Sequence, residues 1–102
     1  MTSVLVCGAT GNVGKEVVRC LLTREIGVIA AHRQPDRARR QLGEHIKTVA
    51  LDFHDRTTWR AALADADHLF LMRPPAIADV QNNIIPFIDL ARAQGVDHIV
   101  FL

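Results

Sequence analysis

Gly8-Ala9-Thr10-Gly11-Asn12-Val13-Gly14 is the segment best equipped for chemistry, a GxxGxxG run directly after the apolar stretch Val4-Leu5-Val6-Cys7. Each glycine has a physical use in a phosphate-binding turn. Gly8 permits a sharp turn off a strand. Gly11 lets backbone approach a pyrophosphate without a Cβ in the way, and Gly14 lets the next helix pack closely on the strand. The helix start then offers free N–H groups and the positive end of a dipole to the phosphates. A nucleoside-triphosphate loop is excluded by spacing. It needs four residues between its glycine and Gly-Lys, then Ser or Thr. Here five residues separate Gly8 from Gly14-Lys15, and Glu16 follows.

About twenty residues further on, a dinucleotide site that takes NAD usually places an acid for the ribose 2′-hydroxyl. This chain has His32-Arg33 there. A guanidinium cannot accept from a hydroxyl, but its planar fork suits a 2′-phosphate. Arg37, one turn into the following helix, is a second phosphate candidate. The expected cofactor is therefore NADP(H) in preference to NAD(H). Arg39 and Arg40 read as a solvated basic face.

Other constellations offer less. His32, His45, His54, His68 and His98 show no HxxxH or HExxH spacing and no cysteine pair accompanies them, so no metal site is expected. His54-Asp55 reads as a loop and a helix cap. No serine or cysteine lies in a nucleophile elbow.

The elements that must position these residues alternate. Apolar strands are expected at 4–7, 28–31, 48–51, 68–72 and 96–102. Helices are expected between them. The first has Val13, Val17, Cys20 and Leu21 inward. The second starts at Pro35 and stops at Gly43. The third is capped by Asp55 and turns Trp59, Ala62, Leu63 and Ala66 inward. The fourth, capped by Asp79, turns Val80, Ile84, Phe87, Ile88 and Ala91 inward, with a kink at Pro86. This alternation predicts an α/β fold: a Rossmann-type, doubly wound parallel sheet of five strands in order 3-2-1-4-5. Ligands bind such sheets at the carboxyl ends of the strands, where the order reverses.

One domain is the most that 102 residues can form. A net charge of +1 gives no electrostatic case for nucleic acid or an acidic membrane. No run reaches the ~18 apolar residues of a membrane span, no signal peptide is visible, and Cys7 and Cys20 make no disulfide framework. A cytoplasmic setting is the default. There is no tyrosine, so no tyrosine acid can act within these residues.

The glycine run, His32-Arg33-Gln34-Pro35-Asp36-Arg37-Ala38, Leu51-Asp52 and Gly95-Val96-Asp97-His98-Ile99-Val100-Phe101-Leu102 together resemble the NmrA-like branch of the atypical short-chain dehydrogenase/reductases. The resemblance runs through the whole chain but spans less than half the family's usual length. It implies Thr10, Gly11, Asn12 and Val13 at the pyrophosphate, beside Gly8 and Gly14. It implies Arg33 and Arg37 at the adenosine 2′-phosphate, and Asp52 and Phe53 at the adenine. Met72, Arg73 and Pro74 would lie toward the nicotinamide ribose. Asp52 also reads as a turn or cap, Phe53 as core and Arg73 as a surface charge.

The branch contains NAD(P)H-dependent quinone oxidoreductases and azoreductase-like proteins. It also contains regulators that bind the dinucleotide without turning it over. The expectation is the cofactor-binding part of an NADPH-dependent oxidoreductase acting on a small quinone-like acceptor. The alternative is a redox sensor with a protein partner. On either reading residues 1–102 form the N-terminal part of the NAD(P)-binding domain, and the substrate region lies outside them. One face of strands four and five would then be open, with alternate residues of 69–72 and 98–102 forming an apolar patch that favours self-association.

Overall fold

Short apolar runs ending at turn residues form the strands, and the longer amphipathic stretches between them form the helices. The computed structural model describes residues 2–72 and 79–101. In chain order it has β1 (Ser3–Cys7), α1 (Asn12–Thr23), β2 (Gly27–His32), α2 (Pro35–Leu42), β3 (Lys47–Ala50) and a 3-10 turn (Arg56–Thr58). Then follow α3 (Trp59–Leu63), β4 (His68–Leu71), α4 (Val80–Asn83), α5 (Ile85–Ala93) and β5 (His98–Phe101). All strand pairings are parallel, in the order β3-β2-β1-β4-β5. This is the expected Rossmann-type arrangement, with the reversal between β1 and β4.

Alternation along the strands sends side chains to two separate cores. Leu5, Cys7, Ile29, Ala31, Leu69 and Leu71 meet Trp59, Leu63, Ile84, Phe87 and Ala91 on one face. Val6, Val28 and Ala30 meet Val18 and Ile46 on the other. The first core is pinned by Phe87, which Phe53 and Trp59 approach edge-on at 5.2 and 5.6 Å.

Two details differ from the sequence expectation. The inward stripe of α1 is Gly14, Val17, Val18 and Leu21, whereas Val13 and Cys20 are exposed. The contact is made by the absence of a side chain at Gly14, which a count of apolar side chains overlooks. Pro86 produces a break between α4 and α5 rather than a kink. Lacking an N–H, it leaves the Asn82 carbonyl without its helical donor, and the Arg56 guanidinium donates to that carbonyl at 3.1 Å. Asp55 and Asp79 cap as expected, accepting from Thr57 N at 3.1 Å and Asn82 N at 3.2 Å.

On the α1–α2 side of the sheet, β4 and β5 carry His68, Phe70, His98 and Val100. Phe70 is half-buried and Val100 is 51 % exposed. The His68 and His98 rings lie side by side, with their Nδ1 atoms 3.2 Å apart.

Candidate dinucleotide site at the carboxyl ends of the strands

Sheet register gathers the candidate residues. Cys7 pairs with Ala31 on β2 and Leu71 on β4, so the glycine loop lies between the segments that begin at His32 and at Met72. His32 pairs with Ala50, and Leu51 N donates to the His32 carbonyl at 3.0 Å, which brings Asp52 to the same end. Arg73 and Pro74 lie outside the described residues.

Within the loop the glycines have different reasons to be glycine. Gly8 has a φ of +87°, the left-handed region, and its carbonyl accepts from Gly11 N at 3.0 Å. Gly14 faces that same carbonyl so closely that a Cβ would lie 1.8 Å from Gly8 O and 2.9 Å from Ala9 Cα. No L side chain fits there without moving the helix. Gly11 meets no such barrier, because a Cβ would touch only Gly8 O, at 3.4 Å. Space ahead of the helix remains open at Gly11, as a bound diphosphate requires. α1 begins directly behind it. Lys15 N makes the first helical bond, to Gly11 O at 2.9 Å, so Asn12, Val13 and Gly14 precede it, and no side chain caps the helix. Thr10 is half-buried, and Gly11, Asn12 and Val13 are exposed at this mouth.

Arg33 and Arg37 are exposed one strand away. Among the described residues neither forms an ion pair, whereas Arg39 pairs with Asp36 at 3.3 Å and donates to Thr48 Oγ1 at 3.1 Å. The arginines here therefore divide into a braced one, Arg39, and two that form no ion pair among the described residues, Arg33 before α2 and Arg37 within it.

Asp52 organises the loop after β3. Its Oδ1 accepts from His54 N at 2.9 Å, and its carbonyl accepts from Trp59 Nε1 at 3.1 Å. Phe53 turns its ring into the core, so it can offer a ligand only backbone. Met72 donates its N–H to Cys7 O at 3.3 Å, and its Cβ would be 3.3 Å from a Cβ on Gly8. Burial pushes the Cys7 thiol far up, so it stays protonated and unreactive beneath the loop.

Residues 8–102 match the NAD(P)H-binding family. The chain belongs to that family. It is 34% identical over 97 residues to an NAD(P)H azoreductase from Xenophilus azovorans, covering 95% of this chain and 34% of the relative. It is 33% identical over 103 residues to the Prestalk A differentiation protein A of Dictyostelium discoideum, covering 98% and 34%. An NADPH-dependent quinone oxidoreductase from Escherichia coli superposes with a TM-score of 0.74 at 26% identity, over 96% of this chain and 34% of that one. These relatives agree with the resemblance to the NmrA-like reductases. The chain spans about a third of the length of the curated relatives it matches.

One side chain in this NAD(P)H-binding chain escaped the reading of motifs. His32 accepts a hydrogen bond from Gln34 N at Nδ1, 2.8 Å away. Burial, then the Arg37 guanidinium, then Arg33, hold its pKa below the ordinary value. Its place at the end of β2, two residues before a helix N-cap, was the only available signal.

Proposed function

We propose that these residues form the cofactor-holding part of an NADPH-dependent oxidoreductase. Thr10, Gly11, Asn12 and Val13 would hold the pyrophosphate on the uncapped start of α1, with Gly8 and Gly14 shaping the loop. Arg33, aided by Arg37, would grip the adenosine 2′-phosphate. Asp52 and the Phe53 backbone would border the adenine, and Met72, with Arg73 and Pro74, would lead toward the nicotinamide ribose. The bound dinucleotide would supply the hydride, and the protein the position from which it leaves. The azoreductase and quinone oxidoreductase relatives support a small electron-poor acceptor. Its pocket would lie outside residues 1–102, which span about a third of the length of those relatives.

The observation that carries the cofactor assignment is the pairing of an open, uncapped loop at Gly11 with Arg33, directly after the adjacent strand, which forms no ion pair among the described residues. Dissociation constants for NADP⁺ and NAD⁺ test it. Arg33→Ala should weaken NADP⁺ roughly ten- to a hundredfold, the scale of a lost charge-assisted pair, with NAD⁺ unchanged. An unchanged preference would move the phosphate site elsewhere.

The Dictyostelium relative, named for differentiation and not for a reaction, favours a second reading as an NADP(H)-responsive regulator. Thermal protection by NADP⁺ or NADPH without turnover of quinones, azo dyes or carbonyl compounds would decide for it. The half-buried Phe70 and exposed Val100 also support self-association of the chain. A monodisperse monomer by light scattering would contradict that. Among the described residues no helix is long and apolar enough to cross a membrane.

A further inference from the structure

We infer that His32 is a positioning residue for cofactor choice, its bare Nδ1 fastening the turn that presents Arg33 to the 2′-phosphate. The inference rests on the assignment of that phosphate to Arg33.

β2 ends at His32 and α2 begins at Pro35, so Arg33 and Gln34 alone make the connection. Pro35 has no N–H to give, and the Gln34 side chain makes no capping bond. The turn is closed by the Gln34 N–H donating to His32 Nδ1 at 2.8 Å. That bond encircles Arg33. It is the side-chain-to-backbone bond, from residue i to i+2, that Asp and Asn form in an Asx turn, here made by an imidazole. A donor N–H requires an acceptor, so Nδ1 carries no proton and Nε2 carries the ring hydrogen.

The platform beneath is rigid. The His32 carbonyl accepts from Leu51 N, and the residue is registered against Ala50. The charged groups facing the ring are Arg37 from α2 and Arg33 beside it, and both favour the neutral form in which Nδ1 accepts. Arg33 itself is exposed and unpaired among the described residues, so this turn is what sets its direction. A guanidinium grips phosphate well only in the right orientation. Loosening the turn therefore weakens NADP⁺, which uses Arg33, and leaves NAD⁺ as it was.

Calorimetric dissociation constants for both nucleotides, with wild type, His32→Ala, His32→Asn and Arg33→Ala, test the inference. His32→Ala should narrow the preference for NADP⁺ about fivefold, the scale of one hydrogen bond. His32→Asn keeps a short acceptor at the same i to i+2 spacing and should restore the preference to within about twofold. An unchanged ratio in His32→Ala, or no recovery in His32→Asn, overturns the inference. Arg33→Ala distinguishes its failure from that of the underlying assignment: if that variant keeps the preference, the phosphate site is elsewhere. Nitrogen chemical shifts of the wild-type imidazole at pH 7.5 supply a check that needs no variant. A hydrogen on Nδ1 would overturn the inference.

Discussion

The turns that leave β1 and β2 sit side by side at one end of the sheet and are built on opposite principles. The first, from Gly8 to Gly14, is held by exclusion. A positive φ at Gly8 and a helix pressed against its carbonyl leave the backbone almost no other course. The second, from His32 to Pro35, is held by attraction, through one imidazole nitrogen and one N–H. A pyrophosphate is common to both nicotinamide dinucleotides, and a sterically fixed cradle suits it. The 2′-phosphate distinguishes them, and the turn proposed for it rests on a bond that a single substitution can remove. Invariant and selective recognition would thus be mechanically separate in this chain.

The contrast can be broken most forcefully at Gly14. Gly14→Ala should destabilise the protein by ~1–3 kcal/mol, since a Cβ would collide with backbone and not with a movable side chain. Denaturant unfolding measures it, and wild-type stability would mean that the loop has more freedom than its geometry shows. Gly11→Ala should behave differently. Stability should stay within about 1 kcal/mol of wild type, while NADP⁺ and NAD⁺ both weaken about tenfold, because the new Cβ enters ligand space and not protein. A variant that melts early yet binds normally would reverse that assignment.

Acidification probes the second turn. The His32 pKa is lower folded than its ordinary value of 6.5, so the unfolded chain takes up the proton first. Its contribution to stability is complete above about 6.5 and is lost as pH falls below that, levelling off once the folded ring also protonates. Melting temperature against pH should show this component in wild type and not in His32→Asn. The smallest effect is expected at Arg39, whose ion pair with Asp36 is exposed. Arg39→Ala should change stability by less than about 0.5 kcal/mol and leave cofactor preference intact. A large change in preference would place Arg39 in the phosphate site and blur the division between braced and available arginines.

These differences track what was legible in the sequence. The strand order, the glycine loop and the caps at Asp55 and Asp79 follow from local rules: apolar runs, φ preferences and short polar side chains beside free N–H groups. The stripe of α1 was misplaced by one position because Gly14 packs through what it lacks. Phe53 could be read as adenine contact or core, and only the ring of Phe87 decides where its side chain goes. The break at Ile84 needed Arg56, 26 residues before Asn82, to donate to the Asn82 carbonyl that Pro86 leaves without a donor. His32 was passed over because histidine has no motif for this bond. Its role depends on a turn geometry that only the folded strand supplies.

The unequal glycines also leave a mark that descent can read. In this chain a side chain at Gly8 or Gly14 would strain the fold whatever the protein does, so both would be expected to resist replacement in descendants that keep this loop geometry. Gly11 has no such protection from within. Only a nucleotide gives it a reason to remain glycine. A descendant that had abandoned the dinucleotide would be expected to accept side chains there first, while the two neighbours stayed fixed.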